Sequence, residues 1–416
     1  MSKQNLSGNR KRLTFSLTLF LVMIAAVACV NDLTPEGGWS GPVEEGGYLF
    51  IGNHDGSLVR FNPESGNLDS NWRYPDGDGL GAMYSKSVII GENIYNVGYT
   101  CSGDNCRAEV FGLNLADGSP IWGQNGLELN TKLVGSIGVS GETIFIGTTG
   151  IGEEEDGADG YFYAIDSATD ASSIVKWRVA LDSNSFSGVV VDGSTAYIGT
   201  MEGTLYAIDI SNIDDSANSE DRIKWAFHAE GAIAGPIHAE NGNLYFGDLA
   251  SNVYKLNASS RSGSSQISEV NSSNGEWIFD VGVWVWAAPI IENGVVYVSA
   301  LDGSIFALDE ATGSENWSSS IEGQIVSSPT LFDRQRGDTR ERALAVPSGK
   351  ENVWVISVID GRELGVFVTG GPVKATPLVY NENLYVHTMS GDLKWFSVAD
   401  TTQRGCVELN GGGRCD

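Results

Sequence analysis

The stretch VYVSALDGSIFALDEATGSENW, Val296–Trp317, holds most of one structural unit of this chain. Two alternating apolar runs, VYVS and SIFALD, flank the turn residues Asp302 and Gly303, the pattern of a β-hairpin. Thr312-Gly313 then turns the chain into a further strand that ends near Trp317. Working outward, the same hairpin returns as YLFIGNHDGSLVRFN from Tyr48, AYIGTMEGTLYAID from Ala196, LYFGDLASNVYKLN from Leu244 and LYVHTMSGDLKWFS from Leu384. Degenerate copies occupy Ile94–Leu115, Ile144–Asp166 and Leu344–Ser357. The residues that close the first run are Gly52, Gly98, Gly147, Gly199, Gly247, Ser299, Pro347 and His387, at intervals of 46, 49, 52, 48, 52, 48 and 40 residues. A period near 50 with four strands per unit predicts an all-β, eight-bladed β-propeller of four-stranded antiparallel blades.

Two further regularities place the strands within a blade. Trp72, Trp122, Trp177, Trp225, Trp277 and Trp317 each follow the second hairpin strand, and in the seventh repeat Gly365 stands in that place. One large flat side chain per repeat predicts docking of blade against blade, because every unit of a repeat fold buries its faces on its neighbours. Ahead of each hairpin lies a small residue: Gly41, Ser87, Ser136, Gly188, Gly235, Ala288, Ser328 and Thr376. Strands converging on an axis have least room there, so these mark the innermost strands around a channel.

The N-terminus follows other rules. Lys3, Arg10, Lys11 and Arg12 precede the apolar run Leu13–Val27 and the residues AVAC, Ala26–Cys29. A basic head, a short apolar centre and small residues before a cut site describe a secretory leader over 1–28. A tether over 29–38, the propeller over 39–400 and a tail over 401–416 complete the predicted organisation. Cys101/Cys106 and Cys406/Cys415 are close in sequence and suit two disulfides in an exported protein. Cys29 is then left alone at the leader's end. The formal charge of the chain is −28, and loss of a leader with four basic and no acidic residues takes it to −32. Such a field repels phosphate backbones and excludes nucleic acid as a partner class. A monomeric propeller is expected.

The repeat, apolar-Tyr-apolar-Gly, then Gly before apolar-Tyr-Ala-apolar-Asp, then Thr-Gly and Trp, resembles the pyrroloquinoline-quinone-type propeller repeat. With eight repeats behind a leader that ends like a lipobox, the chain looks most like the BamB-type lipoproteins. Ala26 departs from that family's usual leucine three places before the cysteine. The resemblance implies lipidation at Cys29, a protein-binding scaffold in outer-membrane protein assembly, and an envelope partner such as a barrel-assembly component. It places the protein on the outer membrane facing the periplasm, or on the outer face of the cytoplasmic membrane in a cell with one membrane. Quinoprotein dehydrogenases share the eight blades, but this chain has no adjacent cysteine pair, no C-x-x-C-H and none of their long insertions.

No catalytic residue, metal ligand or cofactor is assigned. There are 4 histidines, and the acidic stretches 152–160 and 211–221 lack the ligand spacing of a calcium loop. Two binding surfaces are expected. Trp39, Phe186, Trp284, Trp286 and Lys374 fall near the starts of inner strands, where they either line one funnel or pack between blades. Arg334, Arg336, Arg340 and Arg342, in an insertion of repeat seven, offer a site for an acidic patch on a partner. A small-ligand or glycan binder is the other non-catalytic alternative.

Overall fold

The structure is a computed structural model that describes residues 38–415 apart from 78, 103–104, 124–125, 150–158, 169–173, 214–218, 262–265, 268 and 338. Eight sheets follow one another along the chain, each built around four consecutive antiparallel strands. Blade 1 comprises Val43–Glu45, Tyr48–Gly52, Leu58–Asn62 and Asn67–Tyr74. Blade 6, which contains the opening stretch, comprises Ile290–Glu292, Val295–Ser299, Ser304–Asp309 and Glu315–Ser320. Blade 8 ends the series with Leu378–Tyr380, Asn383–His387, Asp392–Ser397 and Gln403–Glu408. Among the described residues no strand is exchanged between the first and last blades. Among the described residues no helix is long and apolar enough to cross a membrane.

The core is divided into eight apolar clusters, and each joins one blade to the next. The cluster that closes the ring sets Leu49, Ile51, Val59 and Phe61 of blade 1 against Tyr385, Leu393, Val407 and Leu409. Polar contacts reinforce that seam. Asn53 Nδ2 donates to the Leu409 carbonyl at 3.3 Å, and Asn410 Nδ2 donates to Asp55 at 2.9 Å. His387, in the second strand of blade 8, is buried with Nδ1 2.9 Å from the Ser40 carbonyl. Nδ1–H is therefore the donor. Burial pushes this imidazole down to about 4, the Ser40 carbonyl opposing the shift.

The tryptophans obey one geometric rule. The indole N–H of Trp72, Trp122, Trp177, Trp277 and Trp317 donates to the carbonyl of Leu115, Ser167, Ile213, Glu310 and Val358, at 2.8–3.2 Å. Each acceptor follows the third strand of the next blade. Trp225 is also buried, and Trp317 is the half-buried one. At Trp72, Trp277 and Trp317 the ring lies against a glycine of the neighbour's turn, Gly118, Gly313 and Gly361: a Cβ on Gly313, at φ +71°, would approach the Trp277 ring to 2.7 Å.

Two blades solve the same packing differently. In blades 3, 4 and 6 the tryptophan of the fourth strand pairs with an alanine of the third: Ala164↔Trp177, Ala207↔Trp225, Ala307↔Trp317. Blade 8 reverses the sizes, Trp395↔Gly405, so the ring comes from the third strand and the glycine makes room. A Cβ on Gly405 would lie 2.1 Å from Trp395. In blade 7 the pair is Val355↔Gly365. Arg334 and Thr401 come nearest to where a Gly365 side chain would begin, and the Arg334 Nη1 donates to the Leu364 carbonyl at 3.2 Å.

Blade 4 departs from the four-stranded expectation. Gln266–Ile267, from the long third connection of blade 5, adds parallel to its outer strand Ile223–His228. A buried ion pair fixes that connection: Arg261 meets Glu276 at 2.7 Å, and Glu276 also accepts from the amides of Asn257 and Asn271.

Candidate functional site

The segments that lead into the innermost strands converge from all eight blades on a cavity of about 310 Å³. Five of the eight small residues, Gly41, Ser136, Gly188, Ser328 and Thr376, stand in its wall. Crowding explains their size. A Cβ on Gly235, on the same circuit, would meet the Trp286 carbonyl at 2.1 Å. Trp39, Phe186, Trp286 and Lys374 also line the cavity, whereas Trp284 is not among its lining residues. Trp284 lies half-buried before the sixth blade, its carbonyl bonded by the Leu301 amide.

Trp39, Tyr84, Lys86 and Lys374 come from the neighbouring blades 1, 2 and 8, whereas Phe186 and Trp286 reach the cavity from blades 4 and 6. Trp39 stands edge-on to Tyr84 with centroids 4.4 Å apart, and the Lys374 ammonium lies 4.8 Å from the Trp39 ring centroid. That separation is within cation–π range. Lys86 enters the same cavity from blade 2; its side chain meets solvent, yet the surrounding walls desolvate the ammonium and lower its pKa. Sequence reasoning missed Tyr84 and Lys86. In most repeats the lining residue sits two places before the small one, as in Trp39, Val134, Phe186, Trp286, Val326 and Lys374. In blades 2 and 5 it sits one place before, giving Lys86 and Ala234. The alignment of repeats contained that signal once the offset was allowed to slip by one.

The arginine insertion is a pair of strands where a loop was expected. Thr330–Arg336 and Thr339–Pro347 pair continuously, turning at Gly337 with φ +63°. The charges are largely spent inside the molecule. Arg334 is buried in the junction described above and lies 3.7 Å from Glu341, which removes it from any docking face. Arg342 pairs with Glu292 at 2.6 Å and Asp333 at 3.3 Å, while exposed Arg340 pairs with Asp333 at 2.6 Å. The side chain of Arg336 is outside the described residues.

Cys101 and Cys106 are disulfide-bonded at the tip of the second blade's central hairpin, and Cys406 and Cys415 tie the tail to blade 8. Cys29 lies outside the described residues. Among the described residues, the one group of three potential metal donors is Asp392 with Cys406 and Cys415. Their sulfurs are joined to each other, so they offer no thiolate to a metal.

One titratable pair is strongly perturbed. Glu109, on the third strand of blade 2 (Asn105–Asn114), is buried and accepts from the Tyr74 hydroxyl at 2.7 Å. Burial raises its pKa to about 7, Tyr74 opposing and Glu128 adding to the rise. It lies at the seam between blades 1 and 2, away from the channel lining. A buried acid held by a tyrosine in the seam between two blades, outside the lining of the channel cavity, is a structural group rather than a general base.

Comparison with known proteins adds four likenesses. A family model described as "Outer membrane protein assembly factor BamB" matches residues 216–404. The Yersinia pestis protein of that name is 25% identical over 357 residues, 79% of this chain and 78% of that protein. The Escherichia coli (strain K12) protein of the same name is 30% identical over 115 residues, 27% of this chain and 26% of that protein. The crystal structure of the computationally designed Ika8 protein superposes with a TM-score of 0.61 at 13% identity, covering 87% of this chain and 97% of that one. At that identity the last likeness concerns the fold alone.

Proposed function

We propose that this chain, a PQQ-like-repeat propeller of the BamB type, is an exported, lipid-anchored scaffold that binds other envelope proteins during outer-membrane protein assembly. The observation that carries the reading is the alignment with a named assembly factor along 79% of the chain. A ring of eight rigid junctions suits a scaffold, because it presents loops and a channel mouth on a frame that need not move.

In this reading residues 1–28 are removed and Cys29 carries the lipid, with 29–38 as tether. About ten extended residues reach at most about 36 Å, so the ring stays close to its membrane. The protein acts without a cofactor and without turnover, and its partners are proteins, one of them a component of the barrel-assembly apparatus.

Mild cross-linking and copurification from native membranes test the proposal. Recovery of an outer-membrane assembly component with the full-length chain is the expected result. A protein recovered alone in the soluble fraction would overturn it. Replacing Cys29 by Ser separates anchor from partner: the variant leaves the membrane fraction and loses incorporated fatty acid, yet still binds its partner in extracts.

A further inference from the structure

The channel wall carries a charge opposite to that of the protein. The chain has 53 acidic residues against 25 Lys and Arg, but no Asp or Glu is among the described residues that line the cavity. Its two formal charges are Lys86 and Lys374. The Lys374 ammonium is held over the Trp39 ring at 4.8 Å, which fixes one charge beside that ring. Lys86 forms no ion pair among the described residues. Hydroxyl groups stand in the same wall, from Ser136, Ser327, Ser328 and Thr376, and the buried Ser327 Oγ has no hydrogen-bond partner. Around them are Trp39, Tyr84, Phe186 and Trp286.

Two ammonium groups, a few hydroxyls and apolar faces make a place for one carboxylate on a short apolar stem. The geometry points to a docking socket in which the channel mouth of the scaffold receives an Asp or Glu side chain from an acidic loop of its protein partner. The inference rests on the scaffold reading and names the chemistry by which that partner is held. The size favours a side chain over a larger guest, since about 310 Å³ is at the low end of the range for small-molecule pockets. Charge-assisted hydrogen bonds from ammonium to carboxylate provide the selectivity. The surrounding acidic surface repels any partner that does not present its carboxylate at the mouth.

The test uses the intact folded chain and two peptides, Ala-Gly-Ala-Glu-Phe-Ala-Gly-Ala and its Gln twin, both blocked at their ends. Binding is followed by calorimetry and by tryptophan fluorescence. The Glu peptide is expected to bind about tenfold or more tightly than the Gln peptide, and less so as salt rises. Lys86→Gln and Lys374→Gln are each expected to abolish that preference, with circular dichroism confirming that each variant keeps the wild-type fold. Equal binding of the two peptides, absence of binding by either, or a preference that survives both substitutions would overturn the inference. So would acetate or inorganic phosphate binding as tightly as the Glu peptide, which makes the socket a small-anion site. Failure here with a partner still recovered from membranes sinks the socket alone. Peptide selectivity without any membrane partner sinks the scaffold reading.

Discussion

Replacing Glu109 by Gln should stabilise the protein, and only above a defined pH. In the wild type the Glu109 carboxyl is buried at the seam of blades 1 and 2, and burial raises its pKa from 4.5 to about 7. An acid whose folded value exceeds its unfolded value holds its proton in the folded state while the unfolded chain releases it. Stability is therefore undiminished below pH 4.5, declines as the pH rises from 4.5 to 7, and stays reduced above that. At about 1.4 kcal/mol per pH unit the full loss is about 3 kcal/mol. Gln has the same shape, still accepts from the Tyr74 hydroxyl, and cannot ionise. Urea denaturation of both proteins at several pH values between 4 and 8.5 reads the difference directly. The curves should coincide at the acid end and separate to about 3 kcal/mol at pH 8, or roughly 4 °C in melting temperature for a chain of this length. A variant less stable than wild type by the same amount at every pH would refute the reasoning, because the hydrogen bond would then outweigh the buried charge.

His387 acts in the opposite direction. Its folded pKa of about 4 lies below the ordinary 6.5, so the stability it confers is complete above pH 6.5 and is lost as the pH falls towards 4; His387→Asn should flatten that acid limb in a pH series of melts. Trp277→Ala removes a buried ring and its bond to the Glu310 carbonyl and should cost about 3–5 kcal/mol. Trp317→Ala, at a half-buried ring, should cost less in the same urea titration. Glu276→Ala strands the buried Arg261 charge and should cost about 3–5 kcal/mol, whereas the double variant with Arg261→Met should recover most of that loss in chemical denaturation.

The regular parts of the ring were legible because they depend on local pattern. Period-2 alternation around Gly-containing turns announces each hairpin, and a recurrence near 50 residues announces the blades. The exceptions were not legible, because they depend on volume shared between non-adjacent residues. LKWFS places Trp395 where other repeats have Tyr-Ala, and only the pairing with Gly405 reveals that the bulky and small partners have changed strands. Arg334 read as part of a cationic loop because its neighbours are charged. The structure buries it beside Gly365, thirty-one residues further along, where a tryptophan is absent. The fifth strand of blade 4 likewise depends on the Arg261–Glu276 pair, whose members are fifteen residues apart with nothing between them to advertise the contact.

The candidate site shows the same division. Trp39, Phe186, Trp286 and Lys374 could be picked out because they hold equivalent places in the repeat, whereas Lys86 is displaced by one residue and Trp284 is not brought in. By itself the sequence determined the number of blades, the strands within each and the acidic character of the whole, since these follow from periodicity and composition. Tertiary structure alone decided which side chain fills each junction and that the two lysines share one wall of the channel. Closing a ring brings residues from opposite ends of the chain to one axis, and no local pattern records who meets there.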